Sequence, residues 1–160
     1  MAEAATADAA ADDVTSVVMR FLDAMAAQDI DAYAAELAEE FTQEIPFVPQ
    51  GYPQKVGPRD AAVAFELEFW AGVIGNRPGA GEAIGSITDR VVHRTADAGV
   101  LIVEYASAFF VGGTETYKNR YISIFTVRSG KLVHWREYAN PLAVAATLGY
   151  ELTPPASPEA

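Results

Sequence analysis

The apolar positions of the first forty residues follow helical spacing. One stripe keeps the i, i+3, i+4, i+7 rule of a buried helix face, and its members are Val14, Val17, Val18, Phe21, Leu22 and Met25. A shorter second stripe consists of Ile30, Tyr33, Ala34 and Leu37. Asp12 or Asp13 can cap the first helix and Asp29 or Asp31 the second, so the pattern predicts a helical hairpin. The Ala-, Asp- and Thr-rich residues 1–12 bury too little side chain to offset the entropy of ordering them, and we expect a disordered tail there.

Between residues 41 and 85 the pattern predicts a strand and then a third helix. Residues 41–48 indicate a short strand, and Pro46 within the run favours an edge strand, because proline cannot donate to a ladder. A proline-containing loop follows at 49–53, and Gly57-Pro58 opens the helix. The apolar stripe of that helix consists of Ala61, Ala62, Phe65, Phe69, Trp70 and Val73. Four glycines and a proline then predict a loop over 75–85.

From Ser86 onward the chain is typical of strands. Turn signals at 96–99, Gly112-Gly113 and Ser129-Gly130 separate four apolar and aromatic runs, which lie at 87–94, 100–111, 116–128 and 131–139. Short turns between consecutive strands predict an antiparallel meander. The order of elements predicts an α+β fold, with three N-terminal helices packed on a curved antiparallel sheet. We expect a single domain over 13–150 and a loose C-terminal tail over 151–160.

The second face of this sheet also carries apolar side chains. Ile122 and Ile124 point away from Tyr121 and Phe125, because successive residues alternate across a strand. An apolar outer face needs a cover, so we expect homodimerisation through the sheet.

The last strand carries an acidic residue on an apolar face. Alternation assigns one face to Val133, Trp135, Glu137 and Ala139, and the other to Leu132, His134, Arg136 and Tyr138. Glu137 is therefore either paired with Arg120 or Arg136, or held in a pocket where burial raises its pKa and makes it useful in acid/base chemistry. Asn140 and Pro141 are a good N-cap and first residue for a closing helix over 142–148.

Two further groups have the composition of a ligand site. Glu44, which faces the same way as Thr42 and Pro46, either lines a pocket or is a solvated charge on an edge strand. Tyr121 and Asn119 share a face with apolar residues of their strand, which is the mixture expected in a ligand pocket. The aromatic residues of the third helix either roof that pocket or fill it.

Composition removes several classes of function. The chain has 11 basic and 22 acidic residues, a net charge of −11, and its basic residues are scattered, which argues against nucleic acid and against an anionic membrane surface. It has no cysteine, hence no disulfide and no thiol nucleophile. His93 and His134 lack metal-ligand spacing, so we expect no metal site. The acidic run Glu36, Glu39 and Glu40 is interpreted as a solvated helix face. With no signal peptide or spanning segment evident, we expect a cytoplasmic protein.

Four stretches together resemble the SnoaL-like branch of the nuclear-transport-factor-2-like superfamily, which includes ketosteroid isomerase and the phenazine-biosynthesis A/B proteins. They are the first helix with residues 28–31, the Glu44 to Pro53 stretch, the strand 119–125, and residues 130–141 with the motif Arg-Glu-Tyr-x-Asn-Pro. The resemblance implies a cone-shaped α+β barrel around a deep apolar pocket, a homodimer, and no metal or organic cofactor. It also implies that Glu137 is the acid/base group. Phenazine-type relatives use a histidine from the third helix, and this chain has none there.

We therefore hypothesise a cofactor-independent acid/base enzyme, of isomerase, cyclase or dehydratase type, acting on a small apolar intermediate of specialised metabolism. The alternative is a non-catalytic ligand-binding or dimeric assembly module of the same fold. The predicted catalytic residues are Glu137, Glu44 and Tyr121. The predicted substrate-binding residues are Asn119, Trp135, Phe65, Phe69, Trp70, Phe47 and Tyr33.

Overall fold

In the part of the chain that the structure describes, six strands form one curved, open sheet with helices packed on one face. The structure is a computed structural model that describes residues 2–49, 51–76 and 78–149, and for residues 2–13 only the backbone. The helices are α1 (Ala2–Ala27), α2 (Ile30–Glu36), α3 (Arg59–Phe69) and α4 (Pro141–Thr147), and a π-helical segment, Trp70–Ile74, continues α3. The strands are β1 (Leu37–Glu44), β2 (Lys55–Val56), β3 (Ala83–Arg94), β4 (Val100–Val111), β5 (Thr114–Arg128) and β6 (Lys131–Ala139).

The α+β prediction and the meander are confirmed, but the sheet is not wholly antiparallel. The strand order is β2-β1-β6-β5-β4-β3, and β1 runs parallel to β6. The last strand of the meander, β6, pairs with β5 along one edge only. Strand β1, from the N-terminal part of the chain, pairs with its other edge. Because β1 lies between β2 and β6, its prediction as an edge strand was wrong. Pro46 does not interrupt a ladder, since it lies beyond the end of β1.

The joint between α2 and β1 also differs from the prediction. Leu37 begins the strand instead of ending the helix, so Glu39 and Glu40 are exposed residues of β1 and not part of a helix face. Glu36, the last residue of α2, accepts two hydrogen bonds from Arg20, at 2.8 and 3.0 Å. The acidic run is therefore divided between two elements.

The tails predicted at the two ends of the chain fall partly or wholly outside the residues that the structure describes. The backbone of α1 includes residues for which the sequence predicted a disordered tail, whereas described side chains begin at Val14. The predicted loose tail, residues 151–160, lies outside the described residues. At the end of β6, Asn140 caps α4 by accepting a hydrogen bond from the Leu142 amide at 3.1 Å, with Pro141 as first helical residue, as predicted.

Helix α1 supplies the centre of the core against the sheet. The ring of Phe21 lies 5.0 Å from Tyr33, 5.2 Å from Trp135 and 5.9 Å from Phe125, and all four side chains are fully buried or nearly so. The contacts of Phe21 with Phe125 and Trp135 are edge-to-face, an arrangement that is favourable beyond the area it buries. The other end of the sheet is covered by the π-helical segment, whose Trp70, Val73 and Ile74 are buried against β4 and β5.

A bulge in β6 moves Leu132 to the core side. Residue Thr126 pairs with His134 and Val127 with Leu132, which leaves Val133 as the extra residue between them. Leu132 is fully buried together with Trp135, and the assignment of Leu132 to the outer face was therefore wrong. Beyond the bulge the predicted alternation holds, and Trp135 and Glu137 share the side that faces the helices.

Candidate active site

A cavity lies between α3 with its π-helical extension and the helix-facing side of the sheet. Its volume is about 60 Å³. Most of the wall is aromatic or aliphatic, with contributions from Phe47, Phe65, Phe69, Trp70, Ile87, Phe109 and Trp135. The polar groups of the wall include Gln43, Glu66, Ser107, Glu137 and the tyrosines 52, 105, 117 and 121. An apolar hollow with a few polar groups is the usual composition of a small-molecule site.

Glu137 enters this cavity from β6 without a cation beside it. The two arginines that the sequence offered as partners are engaged elsewhere: Arg136 with Glu44 at 2.8 Å, and Arg120 with Asp89 at 3.5 Å. Arg136 follows the alternation of the strand and lies on the opposite face of the sheet. Among the described residues no ion pair involves Glu137, so the alternative of a buried ion pair does not hold.

The surroundings of Glu137 favour its neutral form. Burial in the apolar wall is the largest cause, the charge of Glu66 is the second, and together they raise the pKa of Glu137 to about 8. The side chain is nevertheless half-buried by surface area, because it faces the open space of the cavity. It is thus desolvated by protein and still accessible to a ligand, which is the combination that acid/base catalysis requires.

A second carboxyl group, Glu66 of α3, lines the same cavity, and the sequence analysis did not identify it. Glu66 is 3% exposed, and burial raises its pKa to about 7, against the lowering effect of a hydrogen bond from Trp70. A signal for it did exist: Glu66 stands four residues after Ala62 and four before Trp70, within the buried stripe of α3. Like Glu137, Glu66 is an acid on an apolar face.

A chain of hydroxyl groups crosses the wall formed by β4 and β5. Ser107 Oγ and Tyr121 Oη are 3.1 Å apart, and Tyr121 donates to Tyr117 Oη, also at 3.1 Å. The Asn119 side-chain amide donates to the same Tyr117 oxygen at 2.8 Å. Ser107, Tyr117 and Tyr121 line the cavity, so this chain orients several polar groups towards it.

Asn119 supports the site without lining the cavity. Besides its bond to Tyr117, its side-chain nitrogen donates to the Asn140 carbonyl at 3.1 Å, and its side-chain oxygen accepts from the Asn140 amide at 3.2 Å. Asn119 therefore ties β5 to the start of α4 and holds the tyrosine. Its predicted contact with substrate is corrected to a supporting role.

Most of the predicted binding residues meet at the cavity. Its lining includes Trp135, Phe65, Phe69, Trp70 and Phe47. Phe47 is also 60% exposed, which marks the region where the cavity reaches solvent. Tyr33, like Asn119, is not part of the cavity wall: it is fully buried between Phe21 and Trp70, and among the described residues its hydroxyl has no hydrogen-bond partner.

Glu44 lies outside the cavity, and its predicted catalytic role is corrected. Arg136 donates to its carboxylate from Nε at 2.8 Å, and His134 lies at 3.6 Å. The hydrogen bond from Arg136 is the largest cause that lowers the pKa of Glu44. A partly exposed, ionised carboxylate in a surface cluster has none of the properties that make Glu137 a candidate.

The histidines lie on the outer face of the sheet. His93 contacts Glu104 at 2.8 Å and His134 contacts Glu44. No cluster of three or more potential metal ligands occurs within the described ranges. A search of the same residues for a helix long and apolar enough to cross a membrane found none.

Comparisons with known proteins agree with this fold. A family model described as a SnoaL-like domain matches residues 18–135. The uncharacterized protein YesE of Bacillus subtilis is 26% identical over 131 residues, which cover 81% of this chain and 83% of YesE. A crystal structure of a Bacillus subtilis protein provisionally called an isomerase has a TM-score of 0.72 at 24% identity, covering 88% of this chain and 95% of the other.

A phenazine biosynthesis-related protein, PhzB2 of Pseudomonas aeruginosa, has a TM-score of 0.71 at 16% identity, covering 91% of this chain and 86% of the other. At these identities the structures share the fold alone, and they agree with the predicted α+β cone. The family model spans most of the chain, including β6 up to Trp135, two residues before the candidate acid/base group. The chain therefore belongs to the SnoaL-like domain family.

Proposed function

We propose that this protein is a cofactor-independent general acid/base enzyme, of isomerase, cyclase or dehydratase type, that acts on a small, largely apolar compound through Glu137. The observation that carries the proposal is the position of Glu137: it faces an apolar cavity, has no cation partner in the described structure, and has its pKa raised to about 8. A carboxyl group with a pKa near neutrality can both accept and donate a proton during one turnover.

In such a reaction Glu137 both accepts the proton and returns it. In its ionised form Glu137 accepts a proton from an acidic C–H of the substrate, and the electron pair of that bond moves onto the neighbouring unsaturated group. The protonated Glu137 then returns the proton to a different carbon, which completes an isomerisation. In a dehydration it gives the proton to a departing hydroxyl group, which leaves as water. Neither route consumes an oxidant or a reductant.

The charge of Glu66 tunes this group. Its carboxylate adds to the effect of burial on the pKa of Glu137, because two negative charges in one low-dielectric cavity repel each other. In this proposal Glu66 acts through Glu137, by raising its pKa, and not on the substrate. Because each of the two carboxyl groups has a raised pKa and they share one cavity, ionisation of one opposes ionisation of the other.

Likeness to named proteins supports the direction of the proposal. One structural neighbour is provisionally called an isomerase, and another is described as phenazine biosynthesis-related. Isomerisation or cyclisation of an intermediate of specialised metabolism is the corresponding proposal for this chain, with the cytoplasm as its compartment.

The size of the cavity favours a second candidate, a ligand-binding module without catalysis. A volume of about 60 Å³ holds only a few water molecules, since one water needs roughly 10–15 Å³ in this measure. The bulky side chains of Trp70, Trp135 and Phe69 form part of its wall. A substrate larger than a few atoms therefore requires the wall near Phe47 to move outward.

Hydrogen exchange distinguishes the two candidates without knowledge of the natural substrate. Small cyclic ketones and β,γ-unsaturated ketones are incubated in deuterium oxide with the protein, and deuterium incorporation is followed by mass spectrometry. The enzyme proposal predicts exchange that the Glu137→Gln variant loses by roughly 10²- to 10⁴-fold, the usual contribution of a positioned acid/base group. Equal exchange by wild type and variant contradicts it. Binding of these compounds without any exchange supports the module.

We further propose a homodimer that covers the outer face of the sheet. Ile122 of β5 is 48% exposed, and Ile84 and Val91 of β3 are 55% and 50% exposed. These apolar side chains stand among the ion pairs His93–Glu104 and Arg120–Asp89. Apolar centres with charged surroundings are typical of interfaces between subunits.

A further inference from the structure

Gln43 of β1 lines the cavity, and its buried side-chain oxygen has no hydrogen-bond donor among the described residues. Two other buried side-chain atoms of the described structure lack a partner, Gln28 Nε2 and Tyr33 Oη, but neither residue lines the cavity. The Gln43 residue is 2% exposed. A buried amide oxygen without a donor is costly unless a ligand or a water molecule supplies one. The acceptor of Gln43 is therefore a polar group of the ligand site that the described residues leave unsatisfied.

The pairing of β1 with β6 places Gln43 beside the candidate acid/base group. Gln43 pairs with Trp135, and the next pair along the two strands is Glu44 with Arg136. That second pair forms the ion pair on the outer face of the sheet. Alternation therefore turns Gln43 and Trp135 inward. Glu137 follows two residues after Trp135 on the same face, so Gln43 is its diagonal neighbour, and a group bound by Gln43 lies on the same side of the cavity as Glu137.

The donors of the cavity wall are engaged with other acceptors. Trp135 donates its indole N–H to Ser123 Oγ at 3.0 Å, and Trp70 donates to the Glu66 carboxyl group. The hydroxyl chain of β4 and β5 forms hydrogen bonds within itself. None of these donors is a partner of Gln43 Oε1. A ligand that satisfies this oxygen must therefore bring its own O–H or N–H group.

The geometry points to Gln43 as a binding residue that accepts a hydrogen bond from a hydroxyl group of the ligand. This inference rests on the proposed function and adds a substrate class: small apolar compounds that carry a neutral hydroxyl group. A hydroxyl group brings one proton and no charge into a mostly apolar wall. An ammonium group brings a full charge, which is costly there without an ionised partner, and burial raises the pKa of Glu137 to about 8 and so favours its neutral form.

Two compounds with the same ring test which ligand group Gln43 binds. Cyclohexanol has an O–H donor, whereas cyclohexanone has an oxygen acceptor only. Calorimetric titration of wild type and Gln43→Met gives the loss of affinity for each compound. The variant, which removes the amide and keeps a side chain of similar length, should bind cyclohexanol about 3- to 10-fold more weakly, the usual effect of one neutral hydrogen bond. Its affinity for cyclohexanone should change by roughly twofold at most, because a ketone has no proton to donate.

The stability of the variants separates a binding role from a structural one. Removing an oxygen that has no partner in the described structure breaks no hydrogen bond of that oxygen, so Gln43→Met should melt at the same temperature as wild type or higher. Gln54→Met is the matched control, because Gln54 is exposed and outside the cavity wall, and it should change neither binding nor melting. If Gln43→Met does not fold, Gln43→Leu is titrated in its place. Strong destabilisation by both substitutions would mean that the amide is bonded within the protein, which overturns the inference.

Deuterium exchange by wild type distinguishes failure of this inference from failure of the proposed function. Exchange by wild type, with equal losses of affinity for the two compounds in Gln43→Met, overturns the role of Gln43 and leaves the acid/base role of Glu137 intact. No exchange, with a loss confined to cyclohexanol, overturns the enzyme proposal and leaves Gln43 as the hydroxyl-binding residue of a ligand-binding module. Cyclohexylamine is the third probe. If wild type binds it more tightly than cyclohexanol, or binds none of the three compounds, the substrate class is overturned.

Discussion

Arg136 forms an ion pair with Glu44 across the parallel strands β6 and β1, with both Nε and its terminal nitrogen 2.8 Å from the same carboxylate oxygen. The next residue, Glu137, points to the other side of the sheet. The arginine closest in sequence to Glu137 is therefore engaged with a different acid. This separation leaves Glu137 without a neutralising charge, so burial and, secondarily, the charge of Glu66 raise its pKa.

The stability of the protein is expected to depend on pH through Glu137. Its pKa is raised to about 8 in the folded protein, against about 4.3 in an unfolded chain. The folded state then binds more protons than the unfolded state between these values, so the free energy of unfolding falls as pH rises from about 4 to 8. Chemical denaturation of wild type and Glu137→Gln at several pH values across this range tests the predicted fall in the free energy of unfolding. In the variant the fall in the free energy of unfolding should be smaller by on the order of 5 kcal/mol, and parallel curves for the two proteins would contradict the raised pKa.

Removing the charge of Glu66 is expected to move the pH–rate profile. In Glu66→Gln the repulsion that adds to the pKa of Glu137 disappears, so the pKa of Glu137 falls, and the ionisation visible in kcat/KM moves to lower pH. The pH–rate profile of deuterium exchange, recorded for Glu66→Gln and for wild type, measures this shift. A loss of activity with an unchanged profile would mean that Glu66 acts on the substrate itself instead of tuning Glu137.

Replacing Glu44 is expected to leave activity unchanged. Glu44→Gln weakens the pair with Arg136 on the outer face, and partly exposed pairs contribute little. The melting temperature should fall by roughly a few degrees at most, and less at high salt because the charges are screened. Since its pKa is lowered in the folded state, any stabilisation from Glu44 is lost as pH falls through that lowered value. Activity lost to the extent seen in Glu137→Gln would restore Glu44 to the site.

A charge on the outer face of the sheet is expected to prevent dimerisation. Ile122 is 48% exposed on β5, and Ile122→Lys would bury an unpaired ammonium group at the proposed interface. Light scattering coupled to size-exclusion chromatography should show a dimer for wild type and a monomer for the variant. Leu67→Lys serves as control, because Leu67 of α3 is 46% exposed and lies on a helix, away from the outer face of the sheet. Identical masses for all three proteins contradict the proposed interface.

Patterns of local origin were sufficient for most of the elements. The stripe of α1, the strand runs of the meander and the cap at Asn140 depend on neighbours within a few residues, and the structure confirms them. Alternation along β6 also placed Glu137 with Trp135, because one pleated strand decides which residues share a face.

Tertiary structure decided what depends on distant segments. The parallel pairing of β1 with β6 and the ion pair of Arg136 with Glu44 join residues more than eighty positions apart. The bulge at Val133 depends on the register between β5 and β6. No local pattern encodes either. The same holds for Glu66, whose apolar stripe was visible but whose proximity to Glu137 was not. The sequence by itself determined the fold class and one acid on an apolar face. Only packing of α3 over the sheet decided that this acid faces an open cavity, because desolvation and charge act through space and not along the chain.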